Sequence, residues 1–355
     1  THIPHDKIFL QGISHLSSMN CILRKHQSQI IFLLIIALVF LYSSLRTITS
    51  RQEEEANQIS SLHRVGALTN NGVLRNVAEP INKSTDRAIF WHIAKTGGTT
   101  LKWYYACLGL VVANEVGISN GHDTDSSLQV WEHRSGFKYV NVDTTGLEGI
   151  ERAKSLGLGQ SGLADVIFTM YPHHAAEMFV TSDPSYKGRF FTMIRHPVER
   201  AASMFYYRQN AEHENEKVYV PHWKNVKFVD YLRRAGGQKN PVVLTLANKL
   251  EERTVTAQDL EIAKEILRTK FLVGLTSKFH ESVQRFNHYF GFDNGYVDRK
   301  CEEGSHKNKN TASNYIPVEE GSEEWDLLMK IYDLDMQLYE YAIQLFEEQK
   351  SLGRK

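Results

Sequence analysis

Short apolar runs alternate with segments of helical periodicity from residue 88 onward. Four runs have the length and composition of buried strands. They lie at residues 88–93, 166–170, 189–194 and 271–275. Strands that alternate with helices predict an α/β fold, in which helices flank a central, mostly parallel sheet in three layers.

The helices between these strands are predicted from apolar residues that recur every three or four positions. One helix is expected over residues 100–111, and Pro197 suits the first turn of the helix that follows the third strand. A single long amphipathic helix is expected over residues 325–346. After the fourth strand, the apolar face of the next helix consists of Phe279, Val283, Phe286 and Phe290.

An uncharged apolar segment lies near the N-terminus, at residues 30–45. It is shorter than the ~20 residues that a typical bilayer needs, although a thinner membrane tolerates it better. The basic residues Arg24 and Lys25 precede it and favour a cytosolic N-terminus. We therefore expect a transmembrane signal-anchor, while a cleaved signal peptide and a buried core helix stay as alternatives.

The resulting organisation has four parts. We expect a cytosolic tail at 1–28, the anchor at 29–45, a flexible lumenal stem at 46–86 and a globular domain at 87–350. The stem is polar and has few aromatic residues. It contains the only Asn-x-Ser/Thr sequon, at Asn82, which is usable for glycosylation if the stem is lumenal.

The net charge and the cysteine content limit which ligands the chain is expected to bind. Lys plus Arg and Asp plus Glu both number 41, so a formal net charge of zero gives no indication of bulk nucleic-acid binding. An anion site must instead come from a local group of basic residues. The three cysteines, Cys21, Cys107 and Cys301, are not at zinc-ligand spacing, and we expect no metal site. Cys107 and Cys301 form either one disulfide, if lumenal, or two unrelated buried thiols.

The sequence KTGGTT at residues 95–100 follows the first predicted strand and precedes a helix. Glycines allow backbone amides to approach an anion, the helix N-terminus attracts negative charge, and Lys95 adds a full positive charge. It is not a Walker A loop, because the lysine precedes both glycines. This order disfavours an ordinary nucleoside triphosphatase or kinase. A tight Gly-Gly turn beside a solvated lysine is the simpler alternative.

A second basic segment follows the third predicted strand. Arg195 stands at the end of that strand, and Ser203 lies about two helical turns later. A guanidinium group can bind a phosphate in a fork, and a hydroxyl can add one further hydrogen bond.

Together, the stretches "HIAKTGGTTL" and "RHPVERAAS" resemble the two nucleotide-binding elements of sulfotransferases that use 3′-phosphoadenosine 5′-phosphosulfate (PAPS). The chain is most similar to the Golgi membrane-bound carbohydrate sulfotransferases, including the heparan-sulfate 2-O and 6-O enzymes. This resemblance covers residues 88–310 and implies a fold like that of the P-loop NTPases, with no requirement for a metal. Ala94 departs from the family pattern, in which many members have proline or glutamine.

The resemblance also implies roles for individual residues. The 5′-phosphosulfate would be held by Lys95, Thr96, Gly97, Gly98, Thr99 and Thr100, and the 3′-phosphate by Arg195 and Ser203. The stretch "HAA" at 174–176 resembles the segment that carries the catalytic histidine in the 6-O enzymes, which makes His174 the expected general base. His173 is the reserve, and Glu177 ranks third. A surface loop with two solvated imidazoles is the alternative.

Two further segments are candidates for substrate contacts. A basic loop at 299–310 contains Lys307 and Lys309, which would close over the 3′-phosphate unless the loop is merely solvated. A second group of residues could line a cleft for the acceptor, and the alternative is that they are ordinary core or surface residues. They are Tyr206, Tyr207, Arg208, Trp223, Arg233 and Arg234.

The expected function is therefore transfer of a sulfuryl group from PAPS to an acceptor hydroxyl, with the desulfated nucleotide PAP as product. The anchor and the resemblance favour a glycan acceptor and a single-pass type II protein of the Golgi membrane. The acceptor's identity stays open. Two alternatives are a P-loop-type kinase and a membrane-anchored protein that binds a nucleotide without turnover.

Overall fold

The computed structural model describes residues 41–43, 46, 66–212, 218–234, 237–292, 301 and 315–352. The chain divides into two compact units, Thr1–His63 and Arg64–Lys355, and all that follows concerns the second. Apart from residues 41–43, the expected anchor at 29–45 lies outside the described residues. Within the part that is described, no helix is long and apolar enough to cross a membrane.

The described chain forms a seven-stranded sheet in the order β3-β4-β2-β5-β1-β6-β7. All neighbouring strands are parallel except the β3–β4 pair at one edge. The expected α/β fold is therefore confirmed. The strands are β1 (Asp86–Trp91), β2 (Val111–Ala113), β3 (Val130–Glu132), β4 (Lys138–Val140), β5 (Val166–Thr169), β6 (Lys187–Ile194) and β7 (Phe271–Leu275).

Helices cover both faces of this sheet. The α-helices of the described unit are α1 (Gly66–Thr69), α2 (Gly98–Cys107), α3 (Leu147–Ser155), α4 (Leu158–Ser161), α5 (Pro172–Glu177), α6 (Pro197–Asn210), α7 (Phe228–Arg234), α8 (Pro241–Leu246), α9 (Ala257–Lys270), α10 (Phe279–Phe290), α11 (Glu323–Ile331) and α12 (Asp333–Glu348).

Successive side chains along each strand point to opposite faces of the sheet, so each face has its own part of the core. In β1, Phe90 packs with residues of α2 and α10, whereas Ile89 and Trp91 pack on the opposite face with α5, α9 and α12. Both faces are buried, which explains why the central strands are continuous apolar runs. A third apolar cluster joins α6, α7 and α11 beside the sheet.

The sequence analysis placed the stem boundary too late. Leu68 and Leu74 are buried in the core, and Leu74 bridges Gly188 of β6. Residues 66–86 are therefore part of the folded unit rather than a flexible stem. They lack a recognisable period because they contribute one short helix and an isolated bridge.

The long C-terminal helix was also predicted incorrectly. Residues 325–346 span two helices, α11 and α12, and the break lies at Tyr332, where φ is −116° and ψ is 31°. The apolar spacing continues across the break, so periodicity alone could not reveal it. The helix expected at 100–111 starts and ends earlier, because Val111 already belongs to β2.

Of the two alternatives for Cys107 and Cys301, the structure has the disulfide. It connects the end of α2 to a residue 194 positions later. Cys21 lies outside the described residues.

Candidate functional site

A cavity of about 1330 Å³ opens at the carboxyl ends of the parallel strands. Its walls include the residue that directly follows each of four strands: His92 after β1, Met170 after β5, Arg195 after β6 and Thr276 after β7. The chain crosses from one side of β1 to the other at this point, since β1 lies between β5 and β6. Open α/β sheets commonly bind ligands at such a crevice.

The loop of residues 95–100 forms one wall of this cavity. Lys95 has a φ of 69°, in the left-handed region that non-glycine residues seldom adopt. Gly97, with a φ of 88°, precedes α2, and no side chain caps that end of the helix. The first turn of a helix leaves backbone N–H groups without intrahelical acceptors. The loop therefore presents amide donors to the cavity that Lys95 also lines, and such donors at a helix N-terminus suit an anion.

Two hydroxyl groups fix the loop to the sheet. The Thr96 hydroxyl is buried and donates to the Ile93 carbonyl oxygen at 2.7 Å. The Thr276 hydroxyl lies 3.3 Å from the carbonyl oxygens of both Thr96 and Ile194. Thr276 thus ties the loop to the ends of β6 and β7, and Thr96 is a structural residue as well as a member of the loop.

The second basic segment meets the loop in the same cavity. Nη1 of Arg195 donates to the Lys95 carbonyl oxygen at 3.3 Å, and Nε pairs with Glu199 at 3.1 Å. Ser203 lines the cavity from α6, although it is 2% exposed. Apart from the buried Thr96, the sequence-predicted residues of both segments therefore line one cleft.

The charged residues that line the cavity, within the described parts of the chain, are all basic: Lys95, Arg195, Arg200 and Arg208. Two of these cations lie over aromatic rings. The Lys95 ammonium is 3.6 Å from the centre of the Tyr207 ring, and the Arg208 guanidinium is 5.5 Å from the centre of the Trp223 ring. A protein with no formal net charge thus concentrates positive charge at one site.

A buried carboxylate supports Arg200 from behind the cavity wall. Asp335 lies 3.8 Å from Nη2 of Arg200 and accepts the backbone N–H groups of Val242 and Val243 at the start of α8. Burial raises the pKa of Asp335 to about 6, against the opposing effects of Arg200 and the two N–H groups.

The two histidines predicted as candidate bases are not among the residues that line the cavity. His173 is buried, and its Nε2 donates to the carbonyl oxygens of Thr245 and Leu246 at 3.0 and 3.1 Å. Burial lowers its pKa to about 4. His173 therefore connects α5 to α8, and this buried position gives no support to its role as the reserve base, which stays a prediction.

His174 is exposed on α5, and its ring meets that of Tyr171 edge-on at 6.2 Å. Glu177 of the same helix pairs with Lys154 at 3.0 Å. The role of His174 as base stays a prediction, and the geometry of the cavity gives it no support.

Two imidazoles that were not expected at the site line the cavity, those of His92 and His280. Nε2 of His280, on α10, lies 2.8 Å from Nε2 of Gln284. His92 lies between β1 and the loop, three residues before Lys95, and its ring packs against Gly98. The pKa of His92 is lowered to about 4 by burial and by the positive charges of Lys102 and Lys95. Its position directly after a buried strand was a signal in the sequence, because ligands of α/β sheets bind beyond the carboxyl ends of the strands.

The expected acceptor residues divide into two groups. Tyr206, Tyr207, Arg208 and Trp223 line the cavity. Arg233 and Arg234 do not, and Arg233 instead forms an exposed pair with Glu323 at 2.6 Å. Lys307 and Lys309 lie outside the described residues.

No protein-family model matches the sequence, and no curated protein matches it.

Proposed function

We propose that this protein transfers a sulfuryl group from PAPS to an acceptor hydroxyl. The observation that carries the proposal is that the loop of Lys95 and the segment of Arg195 open into one basic cavity. A doubly phosphorylated adenosine has anionic groups at both its 5′ and 3′ positions. Two separate cationic elements in one cleft match that distribution of charge.

The residues of the cavity have distinct tasks in this proposal. The amides of residues 97–100 and the Lys95 ammonium stabilise the charge that develops on the sulfuryl oxygens and on the leaving 5′-phosphate. Arg195 and Ser203 hold the 3′-phosphate, so that sulfur is in line with the attacking oxygen.

The remainder of the cavity would receive the acceptor. Tyr207 and Trp223 offer aromatic surface, and Arg208 offers a cation beside it. Such a wall suits the faces of sugar rings, and we propose a glycan hydroxyl as the acceptor.

We further propose that the catalytic unit faces the lumen of the Golgi, anchored by the apolar segment at residues 30–45. The Cys107–Cys301 disulfide supports this placement, since disulfides persist in oxidising compartments and are rare in the cytosol. The exposed Asn82 sequon would then be accessible for glycosylation.

The proposal is tested by incubating the full chain with ³⁵S-labelled PAPS and a panel of glycans. We expect label on at least one glycan, and a loss of at least about 100-fold on Lys95→Ala, because the ammonium contacts the transferred group. Lys264→Ala removes a lysine from α9, away from the cavity, and should retain activity. Transfer of phosphate from ATP, or full activity in Lys95→Ala, would contradict the proposal.

A further inference from the structure

The imidazole of His92 occupies a distinctive place in the cavity. It follows β1 directly, and its backbone N–H donates to the Thr169 carbonyl oxygen of β5 at 2.7 Å, which fixes the start of the loop. A Cβ atom on Gly98 would lie 2.1 Å from Cδ2 of His92. The ring therefore lies against the first residue of α2, where the free amides of the helix N-terminus also lie.

The ring is accessible from the cavity and keeps its acceptor nitrogen. Neither ring nitrogen forms a hydrogen bond with another described residue, and neither is sealed from solvent. This contrasts with His173, whose Nε2 is committed to two carbonyl oxygens. A neutral imidazole that lines the site and is not committed to a protein partner can take a proton from a ligand.

From this arrangement we infer that His92 is the residue that accepts the proton of the acceptor hydroxyl. The inference rests on the proposed sulfuryl transfer and deepens it. It replaces His174, which lies on α5 and does not line the cavity.

The step balances without any further reactant. The acceptor oxygen forms a bond to sulfur, and the bond between sulfur and the bridging oxygen of the 5′-phosphate breaks. Its electron pair leaves on the phosphate of PAP. The hydroxyl proton passes to the cavity-facing nitrogen of His92, from which it is released to solvent after the products leave.

The charges around His92 make its basicity depend on bound nucleotide. Lys95 on its own loop and Lys102 on α2 both disfavour the imidazolium form, and Glu115 pairs with Lys102. On the strands beside it, Phe90 and Met170 carry no charge. Anionic groups bound at the loop would offset these lysines and raise the pKa of His92, because an opposite charge nearby favours the charged form. The base would thus strengthen when the nucleotide is in place.

The test compares His92→Gln with a matched control, His174→Gln, in the full chain. PAP binding is measured by calorimetry, and transfer is measured from PAPS to the glycan that the wild type sulfates. We expect His92→Gln to bind PAP within about threefold of the wild type but to lose at least about 100-fold in kcat, the range for general bases. His174→Gln should match the wild type in both.

Two readouts separate a chemical role from a structural one. Added imidazole should restore transfer to His92→Ala. In ¹³C-labelled histidine NMR spectra, the His92 resonance should titrate at a higher pH when PAP is added. Retained transfer in His92→Gln, or loss of transfer confined to His174→Gln, would overturn the inference. Absence of transfer in the wild type would instead overturn the proposed function.

Discussion

Lys95 combines the side chain that we propose binds the nucleotide with an unfavourable backbone conformation. Its φ of 69° costs on the order of 1 kcal/mol for a residue with a Cβ atom. The ammonium group is directed over the Tyr207 ring, at 3.6 Å from its centre. The backbone strain of the loop thus lies at the residue whose charge has the central role in the proposed function.

This strain predicts an unusual order of stability between two variants. Lys95→Ala and Lys95→Gly both lose the ammonium group, and both should lose nucleotide binding equally. Lys95→Gly should be more stable than Lys95→Ala by about 1 kcal/mol, because glycine adopts the left-handed region without strain. Chemical denaturation measures the difference. A more stable alanine variant would show that the loop does not have this backbone conformation.

The sequence predicted a loop whose residues, apart from Thr96, line the cavity, whereas the histidines predicted as bases do not line it. A lysine, two glycines and hydroxyl residues between a strand and a helix are sufficient to predict an anion site, and that role stays a prediction. The orientation of an imidazole is not encoded in this way. His173 and His174 are adjacent, yet one is buried against α8 and the other is exposed, since neighbouring residues of a helix point in different directions.

At the level of elements, two segments with a clear apolar pattern were predicted with the correct limits. The limits of β7 and of α10 agree with the apolar pattern. Short elements such as β2, β3 and β4 were missed, because each contributes three residues, too few for any period. The contact between α5 and α8 was also inaccessible, because it depends on residues 72 positions apart.

The burial of His173 at that contact makes stability depend on pH, and the hydrogen bonds to Thr245 and Leu246 only partly oppose its effect on the pKa. His173 has a pKa of about 4 in the folded state, below its ordinary value of 6.5, so acid favours the unfolded chain. Its contribution is present above pH 6.5 and is lost as the pH falls towards 4. Between pH 7.5 and pH 5 the loss amounts to about 2 kcal/mol.

His173→Gln should remove this loss of unfolding free energy between pH 7.5 and pH 5. The glutamine amide nitrogen can donate to the same carbonyl oxygens but does not titrate. Unfolding free energies at pH 7.5 and pH 5 test the prediction. His174→Gln is the control and should retain the pH dependence of the wild type. An unchanged dependence in His173→Gln would refute the assigned burial of His173.

At the scale of the whole molecule, the disulfide restrains a large part of the chain. Cys107 is the last residue of α2, the helix that starts at Gly98, and its partner is 194 residues away. Closing so long a loop restricts the unfolded chain and is worth about 5 kcal/mol in the loop-entropy account.

The paired variant Cys107→Ser/Cys301→Ser should therefore unfold at lower denaturant concentration than the wild type. Thiol titration of the unfolded, unreduced chain should detect one free cysteine, Cys21, and three after reduction. Three free thiols before reduction would mean that the bridge does not form in the protein as purified.

The central claim is that two basic segments bind opposite ends of one nucleotide, and calorimetry with three ligands tests it most directly. PAP, 5′-AMP and 3′-AMP are titrated into the wild type, Lys95→Ala and Arg195→Gln. The glutamine keeps a donor for the Lys95 carbonyl oxygen, so that the loop is disturbed as little as possible.

Each variant should lose affinity for PAP by about 10- to 100-fold, the range expected when a charged hydrogen bond is removed. Lys95→Ala should also weaken the binding of 5′-AMP and leave the binding of 3′-AMP unchanged. Arg195→Gln should weaken the binding of 3′-AMP and leave that of 5′-AMP unchanged. The two segments do not bind opposite ends of one nucleotide if both variants weaken the binding of the same mononucleotide. The same conclusion follows if the wild type binds PAP no more tightly than it binds 5′-AMP or 3′-AMP.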